Sequence, residues 1–431
     1  MYRYGREEIY VNMQKVKFLV DRQGIEFTIF YLLLFFACVP YIGYGMFLIN
    51  SGVEVIGGLN QNIAVAGGTG KTISFMKDIL TVLLLLVMTT RLERDKAWPL
   101  GIFIAIVYYG GFLLAVDGRP IIEFLIAGIR TFMFIVISTL FCKRYYYELH
   151  AIKCRITLYK VVFLTLLINT FFVIAQAISS GSLFRLGSGA YRFSGAFPGS
   201  GNLGCYAIAV MLFVITIQAD KIVKGTVFAN ILCIFLSVAS GTRTCIILSV
   251  AVFVYSIIQN YGDKLRISWK ASLALAVIFA VMFGSSAISN MSDYIGRGEL
   301  GISGIGRINI FMNNFNESTA FQIFFGRGLG VGTNAALTMN LENTSVSDST
   351  YNLIFTQFGL IGLIVITVAL IGILIKIFRY SYEKKSQALC FILCVVAMYV
   401  VGNLFEHIAM IILIVITYYM IYTDYEGGVE E

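Results

Sequence analysis

The chain has 431 residues, of which 58% are apolar and only 13% charged, with a mean hydropathy of +0.83. A soluble domain of this length carries about a quarter charged residues, so the composition excludes a soluble globular fold. The formal net charge of +8 says nothing of nucleic acid, because the cations are distributed as a membrane-topology signal beside an anionic leaflet.

Apolar runs of near-spanning length recur along the whole chain. A hydrocarbon core of about 30 Å needs roughly 20 apolar residues as a helix, and only helices and closed barrels satisfy their backbone in lipid. The runs are continuous rather than alternating, which predicts helices and not a barrel. In chain order the expected spans are 26–49, 75–91, 98–116, 121–141, 158–178, 203–218, 226–239, 245–259, 270–288, 351–376, 387–403 and 408–423. The first follows a basic stretch and is long enough to cross, so it reads as a signal anchor rather than a cleaved signal peptide.

With the N-terminus inside, the cytoplasmic loops hold more than twice as many Lys and Arg as the outer ones, and Arg130 falls within a span. The expected fold class is therefore all-α: a polytopic integral membrane protein of about 12 transmembrane helices, both termini cytoplasmic. Residues 1–431 form a single membrane domain without internal repeat. Two extracytoplasmic loops stand out for length, 179–202 and 289–350, the latter before helix 10. Most cytoplasmic loops are short, so binding residues are expected on the outer face. Within the second loop, Ile308, Phe311 and Phe315 share one stripe and predict a short helix over Ile305–Phe315 that stops near Asn316. Arg307 lies beside that stripe.

Several motifs carry weaker signals. Gly67-Gly-Thr-Gly-Lys-Thr72 looks like a phosphate-binding loop, but Val65 stands where its first glycine is required, and no strand precedes it. Gly326-Arg-Gly-Leu-Gly-Val-Gly332 is either a plain turn or a tight turn whose N–H groups approach an anion. Glu123 and Arg130 lie two turns apart on one helix and could pair through a water or with a neighbouring helix. They make either a structural contact or part of a substrate cavity. Of the two histidines, His150 is expected to be solvated at the cytoplasmic side. His407 follows Glu406 at an outer turn and is either a general base or part of an interfacial polar turn. Cys38, Cys205, Cys233, Cys245, Cys390 and Cys394 fall in or beside spans as small apolar fillers, with Cys142 and Cys154 at the cytoplasmic side. Cys390 and Cys394 share a helix face without a partner set for a metal.

The outer arginines are the sharpest physical signal. Between 179 and 350 every outer cation is Arg: Arg185, Arg192, Arg243, Arg297, Arg307 and Arg327. The guanidinium fork matches phosphate bidentately, whereas Lys is a point charge. Cations kept on the side where topology disfavours them point to an anionic ligand, a phosphate, a pyrophosphate or an acidic sugar. Arg192, Arg243 and Arg307 are expected to converge on one outer cavity.

Four segments in order resemble the O-antigen and capsule polymerase/ligase family, the Wzy-type polymerases and their ligase relatives. The first is Tyr191-Arg-Phe-Ser-Gly-Ala-Phe-Pro198 followed by Asn202-Leu-Gly204, similar to the family's Gly-x-Phe before a Pro-Asn turn, here with Gly199–Gly201 intervening. The second is Ser240-Gly-Thr-Arg-Thr244, similar to Ser-x-Ser-Arg-Thr with Thr242 for the second Ser. The third is Gly306-Arg-Ile-Asn-Ile-Phe311 with Phe325-Gly-Arg-Gly-Leu-Gly330. The fourth is Asp348-Ser-Thr-Tyr-Asn-Leu353 with Phe358-Gly-Leu-Ile-Gly362.

The resemblance implies a metal-independent glycosyltransferase without cofactor. It would move a growing glycan from undecaprenyl pyrophosphate onto a new lipid-linked repeat unit outside the bacterial cytoplasmic membrane. Its partners would be the undecaprenyl-pyrophosphate-linked glycan, membrane lipid, a chain-length regulator and a flippase, with no nucleic acid. Arginines would stabilise the leaving pyrophosphate, and a base would take the acceptor proton. Ligase relatives carry a His eleven residues before the glycine of the Gly-Leu-Ile-Gly turn, and here that position is Asp348. This departure favours a polymerase over a ligase. The expected catalytic residues are Asp348, Arg243 and Arg307. Arg185, Arg192, Arg297, Arg327 and Asn352 would bind substrate, with His407, Glu406 and Arg130 as further candidates. The rival from another class is a transporter or flippase of lipid-linked sugars, for which inverted repeats and broken helices would speak. Neither is evident in the sequence.

Overall fold

The continuous apolar runs fold as helices. A computed structural model describes residues 23–42, 49, 53–55, 71–90, 97–180, 191–219, 223, 225–265, 311–339, 341, 349–381 and 384–422. The helices in chain order are α1 (Gln23–Cys38), α2 (Lys71–Thr89), α3 (Trp98–Val116), α4 (Ile121–Arg144), α5 (Tyr146–His150), α6 (Ile152–Ser179), α7 (Ser200–Ala219), α8 (Thr226–Ala239) and α9 (Arg243–Leu265). They continue as α10 (Ala320–Phe325), α11 (Asn334–Thr338), α12 (Thr350–Tyr380), α13 (Lys385–Val401) and α14 (Ile408–Ile421). Five of them, α3, α4, α6, α7 and α12, are long and apolar enough to cross a membrane. The expected span 270–288 lies outside the described residues.

Some expectations need correction. The first run is not one helix over 26–49: α1 stops at Cys38 and the chain turns at 39–42. Pro40 explains the stop, because proline drives the residue before it out of the helical region. The all-α class also has one exception. Strand β1 (Val53–Val55) pairs antiparallel with β2 (Tyr191–Phe193), with Glu54 opposite Arg192. Of the helix expected over Ile305–Phe315, residues 311–316 are helical, and 305–310 lie outside the described residues. Finally, α12 is broken at Gly359, whose φ of 64° and ψ of −165° are not helical. The chain thus contains a broken helix, contrary to the sequence reading.

α7 lies at the centre of the packing. It is apolar all round, so it can be covered on every side, and α8, α9 and α14 pack around it. By contrast, α3 and α12 leave Tyr108, Phe112, Ile364, Val365 and Val368 more than half exposed. Apolar surface of that extent needs a cover, and a bilayer would supply it.

Polar contacts occur inside the helices, as between Thr165 and Tyr206 (2.8 Å) and between Thr367 and Tyr399 (2.9 Å), and also gather at the two helix ends. At one end Gln23 donates to Glu148 (3.1 Å), Arg144 pairs with buried Glu26 (3.3 Å) and donates to the Met88 carbonyl (3.1 Å), and Tyr146 donates to the Tyr422 carbonyl (2.8 Å). His150 belongs to this end and is not solvated as expected. Its Nε2 donates to the Tyr419 carbonyl (3.1 Å), while Nδ1 accepts from Arg155 (2.7 Å). Burial, then the nearby Arg155 and Lys384, push its pKa down to about 4. The other end carries the β1–β2 pair, the 117–120 turn, residues 311–341 and the 402–407 turn; it is the loop end below.

Candidate functional site at the loop end

Two fully buried amides on α6 dock the segment that contains Arg192. The Asn169 Oδ1 accepts from the Ala196 N–H (3.0 Å), and its Nδ2 donates to the carbonyls of Cys38 (3.0 Å) and Thr165 (2.9 Å). Gln176 accepts from the Gly195 N–H (3.1 Å) and donates to the Gly195 carbonyl (2.9 Å). These residues were not singled out from sequence. The signal was present, since residues 169 and 176 are polar positions seven apart in an apolar helix, hence on one face.

Arg192 leaves this docked segment and lies over the turn 240–242. A methyl on Gly241 would meet Arg192 Cγ at 2.7 Å, and Gly241 has a φ of +64°. The next residues open α9, so Arg192 stands beside a helix N-terminus, where the backbone favours negative charge. Its Nε is buried and has no partner among the described residues. Arg243 is the first residue of α9, but its side chain lies outside what is described. The same turn packs on α7: a methyl on Gly204 would sit 2.7 Å from Ser240 Oγ and 2.9 Å from Cys245 Sγ. Cys245 contacts the Cys205 thiol, which in turn bonds to His407. The His407 Nδ1 is buried without a partner among the described residues.

The glycine run 326–332 is a packing wedge rather than an open anion cradle. Leu329 drives between α3 and α4 at two helix glycines. A methyl on Gly110 would come within 2.3 Å of Leu329 Cβ, and one on Gly128 within 2.4 Å of Leu329 Cγ. The run also repairs the break in α12. The carbonyls of Thr356 and Gln357 lose their helical partners at Gly359, and they accept instead from the N–H groups of Arg327 (2.9 Å) and Gly328 (3.1 Å). Gly359 itself is pressed against the Phe324 carbonyl, 2.4 Å from a would-be Cβ.

This wedge brings two expected binding residues into one network. Arg327 donates to Ser318 Oγ (3.0 Å), Ser318 donates to the Asn314 carbonyl, and Asn314 donates to Asn352 Oδ1 (3.2 Å). Asn352 is buried in the first turn of α12. Thr350 ties that turn to the α13–α14 connection through the Gly402 carbonyl (2.7 Å) and the Leu404 N–H (2.8 Å). Glu406 accepts from the Asn334 N–H (2.7 Å) and from the Asn334 side chain, which fixes the start of α11. Both Glu406 oxygens are thus engaged.

Arg130 pairs with a neighbouring helix, not with Glu123. Its Nη2 is 3.1 Å from Asp78 of α2, while Glu123 is exposed near the start of α4. Asp348, Arg307, Arg297 and Arg185 lie outside the described residues. Chemically, the loop end offers Arg192 with an unengaged donor at a helix start, Arg327 joined to Asn352, and a His407 ring with one free nitrogen. Such groups suit an anionic ligand bearing hydroxyls. No family model matches the chain, and no curated protein or solved structure matches it.

Proposed function

We propose that the protein is a polysaccharide polymerase of the O-antigen or capsule type. It joins undecaprenyl-pyrophosphate-linked repeat units at the outer face of a bacterial cytoplasmic membrane, which it crosses about 12 times with both termini inside and a long outer loop before helix 10. One observation carries the reading: segments that resemble the family in sequence meet in pairs at one end. The 191–198 segment touches the 240–244 turn through Arg192 and Gly241, and the 325–330 segment bonds to α12 just before Gly359.

In this reading an acceptor hydroxyl attacks the anomeric carbon, and the bond to pyrophosphate breaks. Arg192, Arg243 and Arg307 take up the charge of the leaving pyrophosphate. Asp348, one residue before buried Ser349 at the start of α12, accepts the hydroxyl proton. Arg327 and Asn352 orient the sugar or phosphate, with Arg185 and Arg297 as further anion contacts. No metal or cofactor takes part, because activation arrives with the lipid. Glu406 is not assigned the base in this scheme, since both of its oxygens accept from Asn334.

A ligase is the alternative within the family, and Asp348 in place of His speaks against it. A transporter of lipid-linked sugars is the alternative of another class, and the broken α12 speaks for it. The test is synthesis by the purified protein, in lipid nanodiscs with chelator, from a lipid-linked repeat unit. A ladder of products is expected, and Arg243→Lys should shorten it by losing the bidentate fork while keeping the charge. Wild-type protein that returns only single units would overturn the proposal.

A further inference from the structure

Next to the turn that Arg192 covers, two thiols meet that the proposed chemistry does not use. Cys205 lies in the second turn of α7 and Cys245 in the first turn of α9. Both are buried. Their thiols are in contact, and the Cys205 thiol also bonds to His407. The two helices can approach here because Gly204 has no side chain. A Cβ on Gly204 would lie 2.9 Å from Cys245 Sγ and 3.0 Å from Cys245 Cβ. Gly402 is close as well, its would-be Cβ 3.8 Å from Cys205 Sγ.

A disulfide joins Cβ atoms about 3.5–4.5 Å apart. The α7 backbone comes that close to Cys245 at Gly204, one residue before Cys205. A bond between the two cysteines therefore needs no movement of a helix, only closure of thiols already in contact. A second contacting pair, Cys390 and Cys394, differs in one respect: both lie on α13, one turn apart. Cβ atoms at that spacing are about 5–6 Å apart, so this pair cannot close without distorting its helix.

We propose that Cys205 and Cys245 are a modification site, closed by oxidation into a disulfide that staples the first turn of α9 to α7. The inference rests on the outer placement of the loop end in the proposed function, because disulfides form and persist on that side. The oxidant is a disulfide-bearing exchange partner. Cys205 gives its proton to the His407 ring, and its thiolate attacks one sulfur of the oxidant. The oxidant's S–S bond breaks, and its first thiolate leaves and takes up that proton. The Cys245 thiolate then attacks the Cys205 sulfur of the mixed disulfide, and the second oxidant thiolate leaves with the Cys245 proton. Two cysteine thiols are thus oxidised, and one oxidant disulfide is reduced to two thiols. The exchange takes place as α9 docks on α7, before the thiols are covered. Once closed, the staple fixes the 240–242 turn on which Arg192 lies.

The experiment is differential alkylation of the full-length protein in its own membranes. Acid quenches exchange, N-ethylmaleimide blocks free thiols under denaturing conditions, and reduction is followed by isotopically heavy N-ethylmaleimide and peptide mass spectrometry. Cys205 and Cys245 should carry the heavy label and appear as one linked peptide before reduction, while Cys390 and Cys394 carry the light label. Light label on Cys205 and Cys245 would overturn the proposal. Glycan elongation, assayed on the same membranes, separates the two readings. A ladder with both thiols free removes the staple alone, and linked cysteines without a ladder remove the polymerase and leave the staple. Thermal unfolding in detergent is the second measurement. Cys205→Ser and Cys245→Ser should each lower the melting temperature by roughly 4 °C, and the double variant no further, because either change already opens the bond. Losses that add in the double variant would mean separate packing effects and would also overturn the proposal.

Discussion

Replacing Gly128 by Ala tests the wedge that organises the loop end. The new methyl would lie 2.4 Å from Leu329 Cγ and 2.6 Å from the Gly330 nitrogen. Ordinary contacts need about 3.5–4.0 Å, so the loop must retreat by roughly 1 Å. One of the obstructing atoms is backbone, which cannot rotate away. The same retreat would stretch the bonds from Arg327 and Gly328 to α12, now 2.9 and 3.1 Å, beyond useful length. Overpacking costs about 1–3 kcal/mol, and each lost backbone bond about 1 kcal/mol. The expected destabilisation is therefore about 3 kcal/mol or more. Gly101→Ala is the internal control, because it lies in α3 with nothing within 4 Å. It should be neutral, or stabilising by up to about 1 kcal/mol through helix propensity. Thermal unfolding in detergent would compare the two, with proteolytic nicking at 326–333 as a second readout. Leu329→Ala in the Gly128→Ala background should recover part of the loss. Equal melting of Gly128→Ala and Gly101→Ala would refute the wedge.

Other predictions address separate parts of the molecule. Asp348→Asn removes the proposed base while keeping its shape, so polymerisation should fall by about 10²–10⁴ with normal membrane insertion. Full-length glycan from that variant would shift attention to His407. Asn169→Leu leaves the Ala196 N–H and the Cys38 carbonyl without their partner, at about 1–3 kcal/mol for each buried group. A melting temperature equal to wild type would show that the 191–197 segment is held by other contacts. His150 is kept neutral in the folded state, with a pKa of about 4 against an ordinary 6.5. The unfolded chain takes up this proton first as pH falls. The stability from this group is thus full above about pH 6.5 and is lost as pH drops through about 4. His150→Gln should flatten the melting profile across that range, and a profile parallel to wild type would contradict the assignment.

Much of the helical framework was legible from composition alone. The bounds of α3 and α8 coincide with continuous apolar runs, because a buried or lipid-facing helix needs no other pattern. The early end of α1 was also written in the sequence, in Pro40, but apolar content outweighed it. Long-range features were not legible. The role of the 326–332 glycines depends on Gly110 and Gly128, far away in the chain, and local spacing does not reveal a partner surface. Likewise Glu123 shares a helix face with Arg130, yet the carboxylate that reaches the guanidinium is Asp78 on another helix. At the site, the sequence placed Arg192 and Arg243 on the same outer side but did not show that Arg192 lies against Gly241. The buried anchors Asn169 and Gln176, and the Arg327–Ser318–Asn314–Asn352 relay, emerge only from packing.

The central claim is that this chain lengthens lipid-linked glycans, and the surface glycan of a deletion strain tests it most directly. Resolved on a gel, that strain should show single-repeat glycans in place of long chains, with the ladder restored by the wild-type gene and not by one carrying Asp348→Asn. Undiminished long chains in the deletion strain would contradict the account, and loss of all glycan from the lipid A core would point to a ligase instead.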